Sequence, residues 1–409
     1  MLLLGAASVV LLVCVACLLS ILQWRNRSGK GKMPEGPAPL PIVGNILQVK
    51  PKNLAKTLEK VRTSIEERIQ EEAEHLLEEI TKTKSMPFDP TFKLSCTFSN
   101  VICSIVFGKR YDYKDKKFLS LMNNMNNIFE MMNSRWGQLY QMFSYVLDYL
   151  PGPHNNIFKE IDAVKAFVAE EVKLHQASLD PNSPQDFIDC FLSKMLEEKD
   201  NPKSHFNMLN LITTTFDLFI AGTETSSTTT RYGLLLLLKY PKIQEKVQEE
   251  IDRVVGRSRR PCVADRTKMP YTDAVVHEIQ RFITLIPTSV PRAVTKDIRF
   301  RDYVIPKGTT IFPLLSTALY DSKEFPNPTE FNPGHFLNEN GTFRKSEFFI
   351  PFSAGKAQFP PAGALVLQLR LPHMLPDQSC QSFLSAHCPL YNSSLLIPSL
   401  AMSHTLVGA

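Results

Sequence analysis

Four short constellations carry residue types that could do chemistry. The first is Ala221-Gly-Thr-Glu-Thr225, in the middle of an apolar stretch over residues 206–239. Glycine and hydroxyl residues are poor choices for the interior of a buried helix. A threonine hydroxyl there can take a backbone carbonyl and open a local kink. Such a kink would set an oxygen ligand or a water beside Thr225, with Glu224 managing protons. Gly222 equally suits a close helix crossing, and on these five residues alone the crossing is the better account. The second is Glu278-Ile-Gln-Arg281, whose acid and base stand three residues apart and can pair on one helix face; most such pairs lie on a surface and contribute little. The third is the proline-rich run Phe325-Pro-Asn-Pro-Thr-Glu-Phe-Asn-Pro-Gly-His-Phe336, and the fourth is Phe352-Ser-Ala-Gly-Lys356. Each is a weak signal by itself.

The elements that must position these residues are mostly helices. Residues 64–82 are charged, with Ile65, Ile69, Ala73, Leu76, Leu77 and Ile80 on one stripe. Further helical stretches are expected near 91–107, 115–133, 155–178 and 185–199, then one long apolar helix over 206–239. Pro241 opens another that Gly256 stops, and Met269 to Phe282 forms the next. The period then changes. Ile298–Ile305 and Thr309–Phe312 read as two short strands joined by a turn at Pro306-Lys-Gly308. The expected fold class is mainly α with a small β-sheet late in the chain, and there are no internal repeats.

The chain has 409 residues, 44% hydrophobic and 21% charged, an ordinary globular balance. A formal charge of +5 is too mild and too evenly spread for nucleic acid, and suits a membrane face or an acidic protein partner. Eight cysteines form no Cys-x-x-Cys pair outside the apolar N-terminus, so neither zinc nor a disulfide framework is indicated. Residues Leu2 to Leu22 are almost continuously apolar, long enough to span a bilayer as a helix. Trp24, Arg25, Arg27, Lys30 and Lys32 follow, and positive charge on that flank keeps it cytosolic. A cleaved signal is the lesser reading, because the basic cluster is on the wrong side. Next comes Met33-Pro-Glu-Gly-Pro-Ala-Pro-Leu-Pro-Ile-Val-Gly-Asn45, either a stiff hinge or a plain linker. With the body in the cytosol, the sequons at Asn26 and Asn340 never meet the glycosylation machinery.

Taken in order, the four constellations, the anchor and the hinge resemble the cytochrome P450 family of heme-thiolate monooxygenases over residues 1 to 356, with one interruption. Met269-Pro-Tyr-Thr-Asp-Ala-Val-Val-His-Glu-Ile-Gln-Arg281 and Asp186-Phe-Ile-Asp-Cys-Phe191 look like the C subfamily of the mammalian second family. The resemblance implies a helical prism around heme b, here incomplete, on the cytosolic face of the endoplasmic reticulum membrane. It implies that Thr225 and Glu224 assist proton delivery and that Ala221 and Gly222 leave room for oxygen. It makes Glu278 and Arg281 a buried ion pair with His335 as third partner, and sets Arg292, in Val290-Pro-Arg-Ala-Val294, against a heme propionate. Phe352 belongs to the cofactor loop, and Leu285 to Val290 line the substrate pocket. It further implies a lipophilic substrate such as a drug, steroid or fatty acid. Electrons would come from NADPH-cytochrome P450 reductase, with cytochrome b5 as a further candidate partner.

The chain departs from that family in two places. The family loop continues Phe-x-x-Gly-x-Arg-x-Cys-x-Gly, but its arginine, cysteine and second glycine positions are Ala357, Phe359 and Pro361. Phenylalanine has no lone pair for iron, so no metal ligand is assigned. Residues 357–409 hold one Arg and one Asp as their only formally charged side chains, with prolines at 360, 361, 372, 376, 389 and 398. Cys380, Cys388 and His373 have no framework that would make them substitute ligands. The second break is beside Lys60, where early strands, early helices and a Trp-x-x-x-Arg helix of the family are missing. A spliced or truncated variant is the expectation. The expected organisation is an anchor over 2–22, a hinge over 23–53, a partial family domain over 54–356 and an irregular tail over 357–409. Two functions follow: a monooxygenase chain impaired by loss of its axial cysteine, or a heme-less membrane protein that binds the reductase or intact relatives, or is degraded.

Overall fold

Tertiary structure comes from a computed structural model, which describes residues 51–353 apart from 85, 203 and 352, with the backbone alone over 51–64. The expected anchor, most of the hinge, Phe352, Phe359 and the tail lie outside the described residues. Among those described, no helix is long and apolar enough to cross a membrane.

The body is mainly helical. Helices α1 (Pro51–Thr81), α2 (Thr91–Val106), α3 (Lys116–Asn133), α4 (Arg135–Leu147) and α5 (Asn155–Ser178) come first. They are followed by α6 (Phe187–Glu197), α7 (Met208–Lys239), α8 (Pro241–Val254), α9 (Pro270–Ile283) and the short α10 (Leu315–Leu319). Their starts obey local chemistry. Asp115, Asp186 and Asn207 cap α3, α6 and α7, each side chain accepting a backbone N–H three residues on. Proline opens α8 and α9, where its missing N–H is no loss. Gly256 follows α8 at φ +70°, a left-handed position suited to glycine.

The long helix α7 is the axis of the packing. On one side it meets α2 and α5 in a core that includes Cys103, Phe107, Phe118, Val168 and Phe219. Further along, its Leu236 and Leu237 pack with Val247 and Ile251 of α8 and with Val275 and Ile279 of α9. Helix α1 seals a third side through Ile69 and Leu76, both nearly inaccessible. Glu72 of α1 is also buried; its carboxylate takes Arg110 Nε at 2.7 Å and Tyr113 OH at 2.6 Å, which ties α1 to the loop after α2.

Several expectations change. Helix α1 begins before residue 64, at Pro51, and runs unbroken through Lys60, the place where the break was expected. Leu77, expected in the buried stripe, is 36% exposed because it sits at the stripe's edge. Helix α4 has no counterpart in the sequence reading: none of its residues is buried, so it lacks an inward apolar stripe, and Phe143 interrupts its geometry. The first expected strand divides. Ile298–Phe300 (β2) pairs antiparallel with Tyr303–Ile305 (β3), turning at Arg301 with φ +52°. Thr310–Ile311 (β4) pairs instead with Arg292–Ala293 (β1). The small sheet is therefore two separate two-stranded pieces.

One junction is pH-sensitive. Asp186 Oδ1 caps α6 through Asp189 N at 2.9 Å, while its Oδ2 lies 2.8 Å from His175 Nε2 on α5. The Asp186 hydrogen bond raises the His175 pKa to about 9, against partial burial that lowers it. A raised pKa makes the stabilisation complete below the ordinary histidine range and lost as pH rises through about 9. The thermal midpoint is expected to fall between pH 7 and pH 9.5, and His175→Gln to flatten that slope when melting is followed by circular dichroism.

Candidate active-site cleft

Gly222 shows what the glycine in α7 does. A β-carbon there would stand 2.5 Å from Ile102 Cδ1 of α2, so the missing side chain allows the two helices to cross closely. Three residues on, Thr225 Oγ1 donates to the carbonyl of Ala221 at 2.6 Å. The hydroxyl takes the carbonyl four residues back, and α7 remains helical through this point without a break. Glu224 Oε1 accepts from Thr228 Oγ1 at 2.9 Å, along the helix.

Thr225, Ser226 and Thr229 form one wall of a cleft, and Gln280 and Ile283 of α9 form the other. Thr284 ends α9 in the left-handed conformation, φ 39°, and its Oγ1 donates to Arg281 O at 2.7 Å. That reversal brings Leu285 and Ile286 to the rim, 37% and 42% exposed. Leu319 and Pro351 complete the lining. The cleft encloses about 600 Å³ free of protein atoms, part of it open to solvent, and no lining residue is formally charged.

Behind this wall Glu278 and Arg281 are fully buried. Arg281 Nε and Nη2 donate to the two carboxylate oxygens of Glu278 at 2.7 and 2.8 Å. Its other N–H groups reach the carbonyls of Leu319 at 3.0 Å, Pro328 at 2.9 Å and Glu330 at 3.3 Å. Glu278 Oε1 also accepts the Asn332 N–H at 2.9 Å, and His335 stands 3.2 Å from both carboxylate oxygens. His335 Nε2 contacts Pro326 O at 2.7 Å.

The structure thus brings Glu278, Arg281 and His335 together, and Thr225 together with Leu285 and Ile286. It does not bring Glu224 or Gly222 to the cleft, because one turns along the helix and the other faces α2. Ala221 is exposed. Arg292 is exposed on β1, where its Nη2 donates to Ser353 Oγ at 3.1 Å. The sequence reading missed Ser226, Thr229, Gln280, Ile283, Thr284 and Leu319. Helical projection could have found most of these: Thr229 is four residues from Thr225, and Gln280 and Thr284 are four apart.

The donor set bears on heme. Cys96 and Cys103 are buried in the core away from the cleft; burial pushes Cys96 up to about 12 and raises Cys103 too, which describes inert thiols. Cys190 and Cys262 do not line the cleft either. The described lining offers hydroxyl and amide groups, and no thiolate, thioether or imidazole. These residues do not supply an axial ligand for heme iron.

A packed helical body, late two-stranded pieces and a buried Glu-Arg-His cluster locked to a proline-rich meander define the class, and the family comparison agrees: the Cytochrome P450 model matches residues 52–358. The chain belongs to the cytochrome P450 family. It is 47% identical to human Cytochrome P450 2C8 over 428 aligned positions, covering 85% of this chain and 87% of that protein. It is 45% identical to rat Cytochrome P450 2C23, with 87% and 88% covered, and 46% identical to chicken Cytochrome P450 2H2, with 86% and 88% covered. The human alignment runs over 428 positions, whereas 85% of 409 residues is about 348, so about 80 of its positions have no residue from this chain.

Glu278→Ala would leave a buried guanidinium without its counter-charge, a loss on the order of 3–5 kcal/mol. Arg281→Lys is expected to be nearly as damaging, since an ammonium has three donors where five are in use. Urea unfolding should show both variants far less stable than Glu347→Ala, an exposed control.

Proposed function

We propose that this chain is a monooxygenase-type family member that keeps both walls and the apolar rim of the cleft but does not complete the reaction as it stands. The reaction class is oxidation of small lipophilic compounds, such as drugs, steroids or fatty acids, with O2 and electrons passed from NADPH by cytochrome P450 reductase, cytochrome b5 being a further partner. Heme b, when held by a thiolate, supplies the electron push for O–O cleavage. The family's cysteine position here is Phe359. Arg292 and the loop at Phe352 are the groups assigned to hold the cofactor, Ala221 and Gly222 the space for oxygen, and Thr225 with Glu224 the handling of protons. Glu278, Arg281 and His335 hold the surrounding backbone.

The observation that carries this reading is the chemistry of the cleft: a threonine hydroxyl and an apolar rim face each other with no sulfur or imidazole between them. The same observation favours a second reading, a heme-less membrane chain that binds the reductase or intact relatives. The shortfall of aligned positions is assigned to the break beside Lys60, and its origin to splicing or truncation. Reduced, carbon-monoxide-treated protein is expected to lack the red-shifted band of thiolate ligation. Ala357→Arg with Phe359→Cys is expected not to restore turnover, because the segments on both sides of the cofactor are still missing. A thiolate band and turnover in that double variant would refute the proposal.

The body is assigned to the cytosolic face of the endoplasmic reticulum membrane, anchored by Leu2–Leu22, which is long enough to span. Alkaline carbonate should leave the chain in the microsomal pellet. Release of the intact chain into the supernatant would overturn the assignment.

A further inference from the structure

We propose that the cleft beside Thr225 is the docking site of this chain's own segment Ala364–Leu371. This deepens the functional reading and rests on its assignment of Phe359 to the family's cysteine position, which leaves the cleft without a thiolate to hold heme.

The first support is where the described chain ends. Pro351 is part of the cleft lining, and Ser353 is held nearby by Arg292 at 3.1 Å, its own N–H bonded to Ile350 O at 2.9 Å. The following residues therefore start from the cleft's edge. Ten residues lie between Ser353 and Ala364, and the eleven Cα-to-Cα steps give an extended reach of up to about 36 Å. A tether of that length holds the segment at an effective concentration of about millimolar.

The second support is the pattern within the segment. Leu365, Leu367, Leu369 and Leu371 alternate with Val366, Gln368 and Arg370. A period of two places the four leucines on one face of an extended chain and Gln368 and Arg370 on the other. Such a face, left in water, is a ready aggregation site. The third support is complementarity. The cleft has no formally charged residue in its lining, and Leu285 and Ile286 at its rim are only partly covered. Hydroxyls of Thr225, Ser226 and Thr229 and the amide of Gln280 stand in the same lining, groups able to bond the polar backbone of an extended segment. An uncharged leucine face with a bonding backbone fits those surroundings. The tether favours this segment over a second copy, which has to be captured from solution.

The test uses the full chain in membranes, with Leu367→p-benzoylphenylalanine, and heme content measured on the same sample. Irradiation followed by mass spectrometry is expected to join residue 367 to 225–229 or 283–286 of its own chain. Amides of 364–371 should exchange at least tenfold slower than in the full-length Leu285→Glu/Ile286→Glu variant, whose substitutions lie at an exposed rim. Heme-free protein in which residue 367 joins lipid, a second copy or another face overturns docking alone. So does exchange that the rim charges leave unchanged. Stoichiometric heme in the cleft overturns both docking and the functional reading beneath it.

Discussion

A buried guanidinium is tolerable only when every N–H has an acceptor, and in this chain that requirement organises the C-terminal half. Arg281 has five such groups. Two are taken by Glu278, three residues back on the same helix, and the rest by the carbonyls of Leu319, Pro328 and Glu330. Leu319 ends α10, but Pro328 and Glu330 lie in a segment without regular structure, so their carbonyls must be delivered by backbone that cannot wander. Prolines at 326, 328 and 333 restrict it, and Phe325 and Phe336, both fully buried, wedge it against α9. His335 closes the arrangement by touching both the carboxylate and Pro326 O. The end of α9, the turn at Thr284 and the rim of the cleft all inherit their position from this cluster.

The fold was largely legible where the signal was helical. A stripe, a cap and a stop are local, so α2, α3, α5, α6, α8 and α9 fall within about two residues of their expected bounds. Helix α4 was illegible because its Trp136, Leu139, Met142 and Tyr145 stay exposed, and a helix without a buried face leaves no pattern to read. The strands were misdivided because pairing is not local. Tyr303 and Val304 look like a continuation of Ile298–Phe300, and only the partner reveals the turn at Arg301. The site was half legible. Glu278 and Arg281 are visible as a spacing, but the three carbonyls that make the pair possible have no letter in a sequence. Thr225 was visible as an oddity in an apolar helix; its neighbours in the cleft were hidden among ordinary helical residues.

The two sides of the cleft depend on different physics. The α7 side is fixed by close packing, Gly222 on Ile102 and the apolar core around Phe219, with Leu236 and Leu237 further along resting on α9. The other side is fixed by the charge cluster. The packing and the charge cluster both lie inside the stretch that matches the family, residues 52–358.

The Thr225 hydroxyl has a polarity that follows from its one bond. Its single proton is committed to the Ala221 carbonyl at 2.6 Å, so toward the cleft the oxygen presents lone pairs alone. A guest seated opposite must bring its own hydrogen; an ether or ketone oxygen finds no donor at that atom, while an alcohol O–H, an amide N–H or a water can donate to it. To become a donor, Thr225 has to release Ala221 and rotate, leaving that carbonyl to its ordinary helical partner. The wall is thus a one-way acceptor whose reversal is a single side-chain torsion.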